Sequence, residues 1–317
     1  MRLLIVATAV LAIGGLAACS SPSQSGGGAG GGVAGGGNVK VGLSISTLNN
    51  PYFVQLRAGA EAKAKELGVS LTTTDAQNDA SQQVNQVQNF TSQGMKAILI
   101  NPVDSDAAAP AVKLANRSSI PVIAVDRGVN GAPVAQTITS DNVAGGALAA
   151  DELAKQLGGK GQVAVLQGVP GTSAARDRGA GFAAGIKKYP NIKVVAQQPA
   201  DFDRTKGLDV MTNIMQSNPG ITGVFAQNDE MALGAIKALG SKAGNQVKVV
   251  GFDGTPDGLK AVQAGTMSAT VAQQPKLLGQ ESVVSAVSVA KGGNVQKVVH
   301  VPVKVATKEN VQDFMTS

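Results

Sequence analysis

The sequence predicts an α/β protein built on two doubly wound parallel sheets. Three observations carry that expectation. Short β-branched runs alternate with longer segments of helical period through residues 39–300, as βαβ units with right-handed crossovers require. The alternation divides into two similar series, which suits two lobes better than one very wide sheet. Strand after strand then ends in a polar side chain, at the sheet edge where parallel α/β proteins hold their ligands.

The first strand is read over 39–46, "VKVGLSIS". It runs into "TLNNPYF", where Asn50 suits a helix N-cap and Pro51 the first helical position. The helix that follows, "YFVQLRAGAEAKAKELG", carries apolar residues at three- and four-residue spacing and stops at glycine, as does "NVAGGALAADELAKQLG" later. Further strands are expected near 69–75, 97–101, 121–126, 162–168, 192–198, 223–228, 247–253 and 268–273. A late extended segment, "VVHVPVKV", carries the single histidine, His300, which reads as structural.

The strand ends hold the chemistry. "AILI" ends in Asn101, "PVIAV" in Asp126 and Arg127, "GVFAQ" in Asn228, "VKVVGF" in Asp253 and "ATVA" in Gln273. One polar residue at such a place is ordinarily a cap or turn former, but Arg127 and Gln273 make poor caps. The chain has only two Tyr and seven Phe, and Tyr52, Phe53, Phe202 and Phe252 all fall in or beside these loops. Phe90, Phe182 and Phe225 lie within periodic segments and read as core. Amides, carboxylates and guanidinium forks suit the hydroxyl rim of a small polyol, and aromatic rings suit its C–H faces. The inventory points to a small, neutral, polyhydroxylated ligand.

Other chemistry is poorly supported. No His/Cys/Asp/Glu group has metal-ligand spacing and no Walker loop is present, so neither metal nor cofactor is expected. "GVPGTSAARDRG" and "GGKGQ" lack the ending a phosphate loop needs. Asp229 and Glu230 in "QNDEMALG" read as acidic residues favouring a helix N-terminus. The formal charge of +6 comes from basic residues scattered along presumed helices, which argues against nucleic acid.

The N-terminus, "MRLLIVATAVLAIGGLAAC", reads as a secretory signal over 1–18, too short to remain a membrane span. "LAAC" at 16–19 resembles the bacterial lipobox, which implies lipid on Cys19, the only cysteine. Residues 19–38 then form a lipidated start and a Gly/Ser-rich flexible tether.

Across residues 39–305 the chain resembles the ribose-binding family of sugar-importer binding proteins, of the type I periplasmic-binding-protein fold. The blocks that carry the likeness are "STLNNPYF", "LINPVDSDA", "IPVIAVDR", "SDNVAGG", "LQGVPGTSAARDRGAGF", "QPADFDRTKGLDVM", "VFAQNDEMALGA", "VVGFDGTPDG" and "ATVAQQP", in the family's order. The resemblance implies a first lobe, 39–140 plus 274–303, contributing Asn50, Tyr52, Phe53, Asn101, Asp126 and Arg127 to the ligand. A second lobe, 141–273 plus 304–317, would contribute Arg178, Phe202, Asn228, Phe252 and Asp253, with Gln273 at a crossing. It places three hinge crossings near Ser140–Asn142, Gln273–Gln274 and Lys304–Val305. Familiar members have Phe where Tyr52 stands, which leaves the exact sugar open.

Implied function follows the same resemblance: a monomeric, non-enzymatic, extracytoplasmic lipoprotein that captures D-ribose and passes it to the transmembrane permease of an ATP-binding-cassette importer. A chemoreceptor is a further partner for the closed form. The alternatives are a binding protein for another pentose, allose or a furanose signal molecule, and a sugar-responsive repressor. Repressors of this fold carry an N-terminal helix-turn-helix, where this chain has its lipobox and glycine tether.

Overall fold

The computed structural model describes residues 39–315. The expected signal, Cys19 and the tether lie outside the described residues. Val41, Leu43 and Ile45 put alternate side chains on one face of β1 (Lys40–Ile45), which pairs with a parallel strand along each edge. Then follow α1 (Pro51–Glu66), β2 (Ser70–Asp75), α2 (Ala80–Ser92), β3 (Ala97–Ile100), α3 (Ala109–Arg117), β4 (Val122–Val125) and β5 (Gln136–Ser140). The second series runs α4 (Asn142–Gln156), β6 (Lys160–Gln167), α5 (Ser173–Ile186), β7 (Asn191–Pro199), α6 (Arg204–Ser217), β8 (Gly223–Ala226), α7 (Asp229–Leu239), β9 (Lys248–Asp253), α8 (Pro256–Ala264) and β10 (Ala269–Ala272). The chain finishes with α9 (Pro275–Ala290), β11 (Val298–Val301), β12 (Lys304–Thr307) and α10 (Gln312–Met315).

Two six-stranded sheets result, ordered β2-β1-β3-β4-β5-β11 and β7-β6-β8-β9-β10-β12. Each is wound on both faces. In the first, α1 and α9 bury Leu43, Leu99 and Ile123 on one side, while α2 and α3 bury Ile98, Ile100 and Val122 on the other. In the second, α4 and α5 cover Val163, Phe225 and Val271, while α6, α7 and α8 cover Leu166, Val224 and Val249. Phe182 stacks on Phe225 at 4.5 Å, and burying such a ring contributes about 1.5–3 kcal/mol. Phe90, Phe182 and Phe225 are all core residues.

The chain passes between the sheets after Ser140, at Gln273–Gln274, and at Pro302–Val303, two residues before Lys304–Val305. Lys304 and Val305 already pair with Ala272 and Val271. Two residues leave no room for a crossover helix, so β12 lies antiparallel on β10, unlike every other pair in the sheets. β5 was not foreseen. Among its inward positions only Ile138 is strongly apolar, with Gln136 and Ser140 also buried. None of the described helices is long and apolar enough to cross a membrane.

Candidate functional site

The carboxyl ends of the two sheets face each other, and ten residues from both close on one cavity: Asn50, Tyr52, Phe53, Asp126, Arg127, Ala174, Arg178, Phe202, Asn228 and Asp253. Its volume is about 10 Å³, room for about one water. A larger cavity of about 540 Å³ lies beyond Gln273, against Gln274, Pro302 and Lys304, but no arginine lines it.

On the first sheet, Asn50 caps α1 by accepting from the Tyr52 amide at 2.9 Å, and this start of the helix aims both rings inward. The Tyr52 hydroxyl donates to Asp126 Oδ1 at 2.7 Å and stands 3.1 Å from Gln273 Oε1, at the end of β10. Burial, then the Asp126 charge, raises its pKa well above the ordinary value. Arg127 donates from Nη1 to the Pro102 carbonyl at 2.9 Å, and its guanidinium lies 5.1 Å from the Phe53 ring and 5.4 Å from the Phe202 ring. Its Nε is buried without a hydrogen-bond partner, 3.8 Å from Asp126 Oδ2. Burial lowers the Arg127 pKa.

From the second sheet, Arg178 donates from Nε to Asn142 Oδ1 at 2.8 Å and from Nη1 to the Gln227 carbonyl at 2.6 Å. Nη1 is also 3.4 Å from Asp253 Oδ1, and the guanidinium rests 3.8 Å above the Phe252 ring. Gln273 Nε2 donates to Asp253 Oδ1 at 2.7 Å. Burial pushes the Asp253 carboxyl well above the usual carboxylate range, against the pull of Arg178. Asn228 caps α7 and donates to the Phe202 carbonyl at 3.2 Å. Asp126, Phe202 and Asp253 have φ of 66°, 59° and 123°, conformations non-glycine residues avoid; Gln77, Asn78, Ser119 and Asp201 share positive φ outside the cavity lining.

Three residues expected at the ligand stand behind the cavity wall. Asn101 spends its side chain inside the first lobe: Oδ1 accepts from the Ser46 amide and hydroxyl, and Nδ2 donates to the Val125 carbonyl and faces Asp126 Oδ2 at 3.4 Å. Phe252 is core and a platform for Arg178. Gln273 stands behind Asp253 and Tyr52. Sequence reasoning passed over Ala174, Asn142 and Gln227. All three fall in segments that carry the family likeness, but nothing in their local pattern marks them.

Near the cavity, hydrogen bonds join the two lobes directly. The Ser105 amide donates to the Gly171 carbonyl at 3.0 Å, the Ser173 amide to Ser105 Oγ at 3.1 Å, and the Gly128 amide to Ser173 Oγ at 2.9 Å. Ser105 and Gly128 follow strands of the first sheet and Gly171 and Ser173 a strand of the second.

Known proteins share this architecture. A family described as periplasmic binding protein domain matches residues 41–294. The ribose import binding protein of Escherichia coli is 49% identical over 269 residues, covering 85% of this chain and 90% of that protein. Its Bacillus subtilis counterpart is 47% identical over 276 residues, covering 86% and 90%. A solute-binding protein of Bacillus halodurans, solved with bound myo-inositol, superposes with a TM-score of 0.84 at 35% identity, covering 90% of this chain and 99% of that one. These relatives are transport binding proteins rather than enzymes. The chain belongs to the periplasmic binding protein family.

Proposed function

We propose that the chain is the extracytoplasmic substrate-binding protein of a sugar ATP-binding-cassette importer, and that it closes two lobes on D-ribose. One observation carries the reading. Two carboxylate–guanidinium sets, Asp126 with Arg127 and Asp253 with Arg178, face one buried cavity from opposite sheets, between the Phe53 and Phe202 rings. Ring and anomeric hydroxyls would bond the charged groups, with Asn50 and Asn228 completing the rim, while the rings cover the sugar faces. Asn101, Phe252 and Gln273 serve from behind, by holding Asp126, Arg178 and Asp253. The high identity to ribose import binding proteins supports this choice of sugar.

In the mechanism, the open lobes admit the sugar and neither half satisfies it alone. The sugar therefore favours closure by its differential affinity for the closed state. Moving a 1:99 population to 99:1 takes about 5.5 kcal/mol of such preference, within the roughly 8 kcal/mol of a micromolar complex. The lobes that move are 39–140 with 274–303 and 141–273 with 304–315, and the closed surface is what the permease subunits, and a chemoreceptor where one exists, would read. A lipid on Cys19 would tether the monomer to the membrane. Calorimetric titration with a panel of pentoses and hexoses tests the sugar. Ribose binding in the micromolar range or tighter is expected, and no heat from ribose alongside clear binding of another sugar refutes the assignment.

A second reading rests on the Tyr52 hydroxyl. It already occupies one Asp126 oxygen, which a ligand with one fewer hydroxyl there would tolerate. Another pentose, allose, a furanose or a cyclic polyol fits that reading, and the same titration ranks them.

A further inference from the structure

Asp229 opens α7 directly after Asn228, and it does not line the cavity. As an acid at a helix start it reads from sequence as a partner of the helix dipole, but the structure gives it a different job. Its carboxylate is fully buried beneath the turn that joins β9 to α8. Oδ2 accepts from the Thr255 amide at 2.7 Å and from Thr255 Oγ1 at 3.0 Å, and Oδ1 accepts from Thr270 Oγ1 on β10 at 2.6 Å. A side chain at Gly251 or Gly258 would overlap the carboxylate, so strand and helix both come close to make its berth. Among the described residues no basic group pairs with it: Arg178 pairs with Asp253, and Arg204 with Glu230.

What this carboxylate ties down is the segment Asp253–Gly254–Thr255. Asp253 has φ 123°, a conformation that a non-glycine residue keeps only when its surroundings hold it, while Gly254 takes its φ of 74° without strain. From that turn Asp253 meets both Gln273 Nε2 and Arg178. We propose that Asp229 is a positioning residue for ligand capture, anchoring the β9–α8 turn to β10 so that Asp253 is aimed into the cavity. The inference rests on the reading of the cavity as a sugar site. It deepens that reading by assigning a residue that acts on the ligand only through another. Burial without a counter-ion also raises the Asp229 pKa to about 6.

The test compares wild type with Asp229→Asn, Asp229→Ala and Thr270→Val by ribose titration, thermal unfolding and crystallography. Asparagine can still accept from the Thr255 amide and can donate to Thr270, so D229N is expected within about threefold of wild-type affinity. D229A leaves the buried Thr255 amide unpaired and is expected to bind at least tenfold more weakly, with Asp253 swung away from Gln273 in its crystal structure. A purely structural role would move stability in both variants without separating their affinities. Should D229A not fold, T270V removes one bond at constant shape and is expected to weaken binding about two- to fivefold. Wild-type affinity in D229A or T270V, equal losses in D229N and D229A, or an unmoved Asp253 in D229A would overturn the proposal. A wild type that ignores ribose refutes the choice of sugar instead, and the Asp253 position in ligand-free D229A crystals then decides the positioning role.

Discussion

Replacing Arg178 separates the proposed site from the fold. The guanidinium makes directed contacts with Asn142 Oδ1, the Gln227 carbonyl and Asp253 Oδ1, and covers the Phe252 ring, while almost completely buried. Breaking a buried pair by removing one partner costs about 3–5 kcal/mol, because the other charge is left without compensation. If that loss falls on the liganded closed state, each 1.4 kcal/mol is a factor of ten in affinity, so Arg178→Ala should weaken ribose binding about a hundredfold to a few thousandfold. Arg178→Lys keeps the charge but has no planar fork to serve Asn142 and Gln227 together. At about 1.5–3 kcal/mol per lost charged hydrogen bond, it should still fall at least tenfold. Calorimetric titration reads affinity, and urea unfolding shows whether a single cooperative transition survives. R178K binding within threefold of wild type would refute the reasoning, since it would mean that the fork geometry does no work at the ligand.

Three further outcomes are expected. Ser105→Ala with Ser173→Ala removes two cross-lobe bonds that touch no ligand, so affinity should drop up to about tenfold for every sugar alike. A changed order of preference in the titration panel would contradict that. Tyr52→Phe frees an Asp126 oxygen and should lower ligand-free stability by about 1–2 kcal/mol while shifting preference toward ligands with one more hydroxyl; an unaltered ranking counts against a selective role for the phenol. Asp229, with its pKa raised to about 6, makes native protein hold a proton that the unfolded chain releases above its ordinary carboxylate value. Its contribution to stability is therefore fully present below about pH 4 and is lost as pH rises through 6. The stability of wild type relative to D229N, measured by urea unfolding, should fall as pH rises through that window, and a flat difference would exclude the titration.

The sequence disclosed the fold wherever burial is two-sided. Runs such as "AILI" and "VFA" are apolar at every position because helices cover both sheet faces, and they stand out for that reason. β5 lacks that signature because Gln136 and Ser140 are buried beside Ile138. At the site, position along the strand was legible and direction was not. Phe252 and Asp253 are neighbours on β9, so their side chains leave on opposite faces: the ring enters the core and the carboxylate the cavity. Asn101 illustrates the same limit, since only the folded loop around Ser46 and Val125 uses up its amide. Asp229 has a role set by Thr255 and Thr270, which are 26 and 41 residues away in sequence, so no local pattern could reveal it.

Asp126, Phe202 and Asp253, held at positive φ, set a limit on improvement by selection. Each such residue stores about 1–3 kcal/mol, which a glycine would release. A screen for heat resistance alone would therefore accept glycine at these three positions as readily as at Gln77, Asn78, Ser119 and Asp201, and some of its sturdier proteins would no longer grip their cargo. Stabilising this molecule for use as a sensor should begin far from the mouth, on the outer helices, where gains in melting temperature do not trade against recognition.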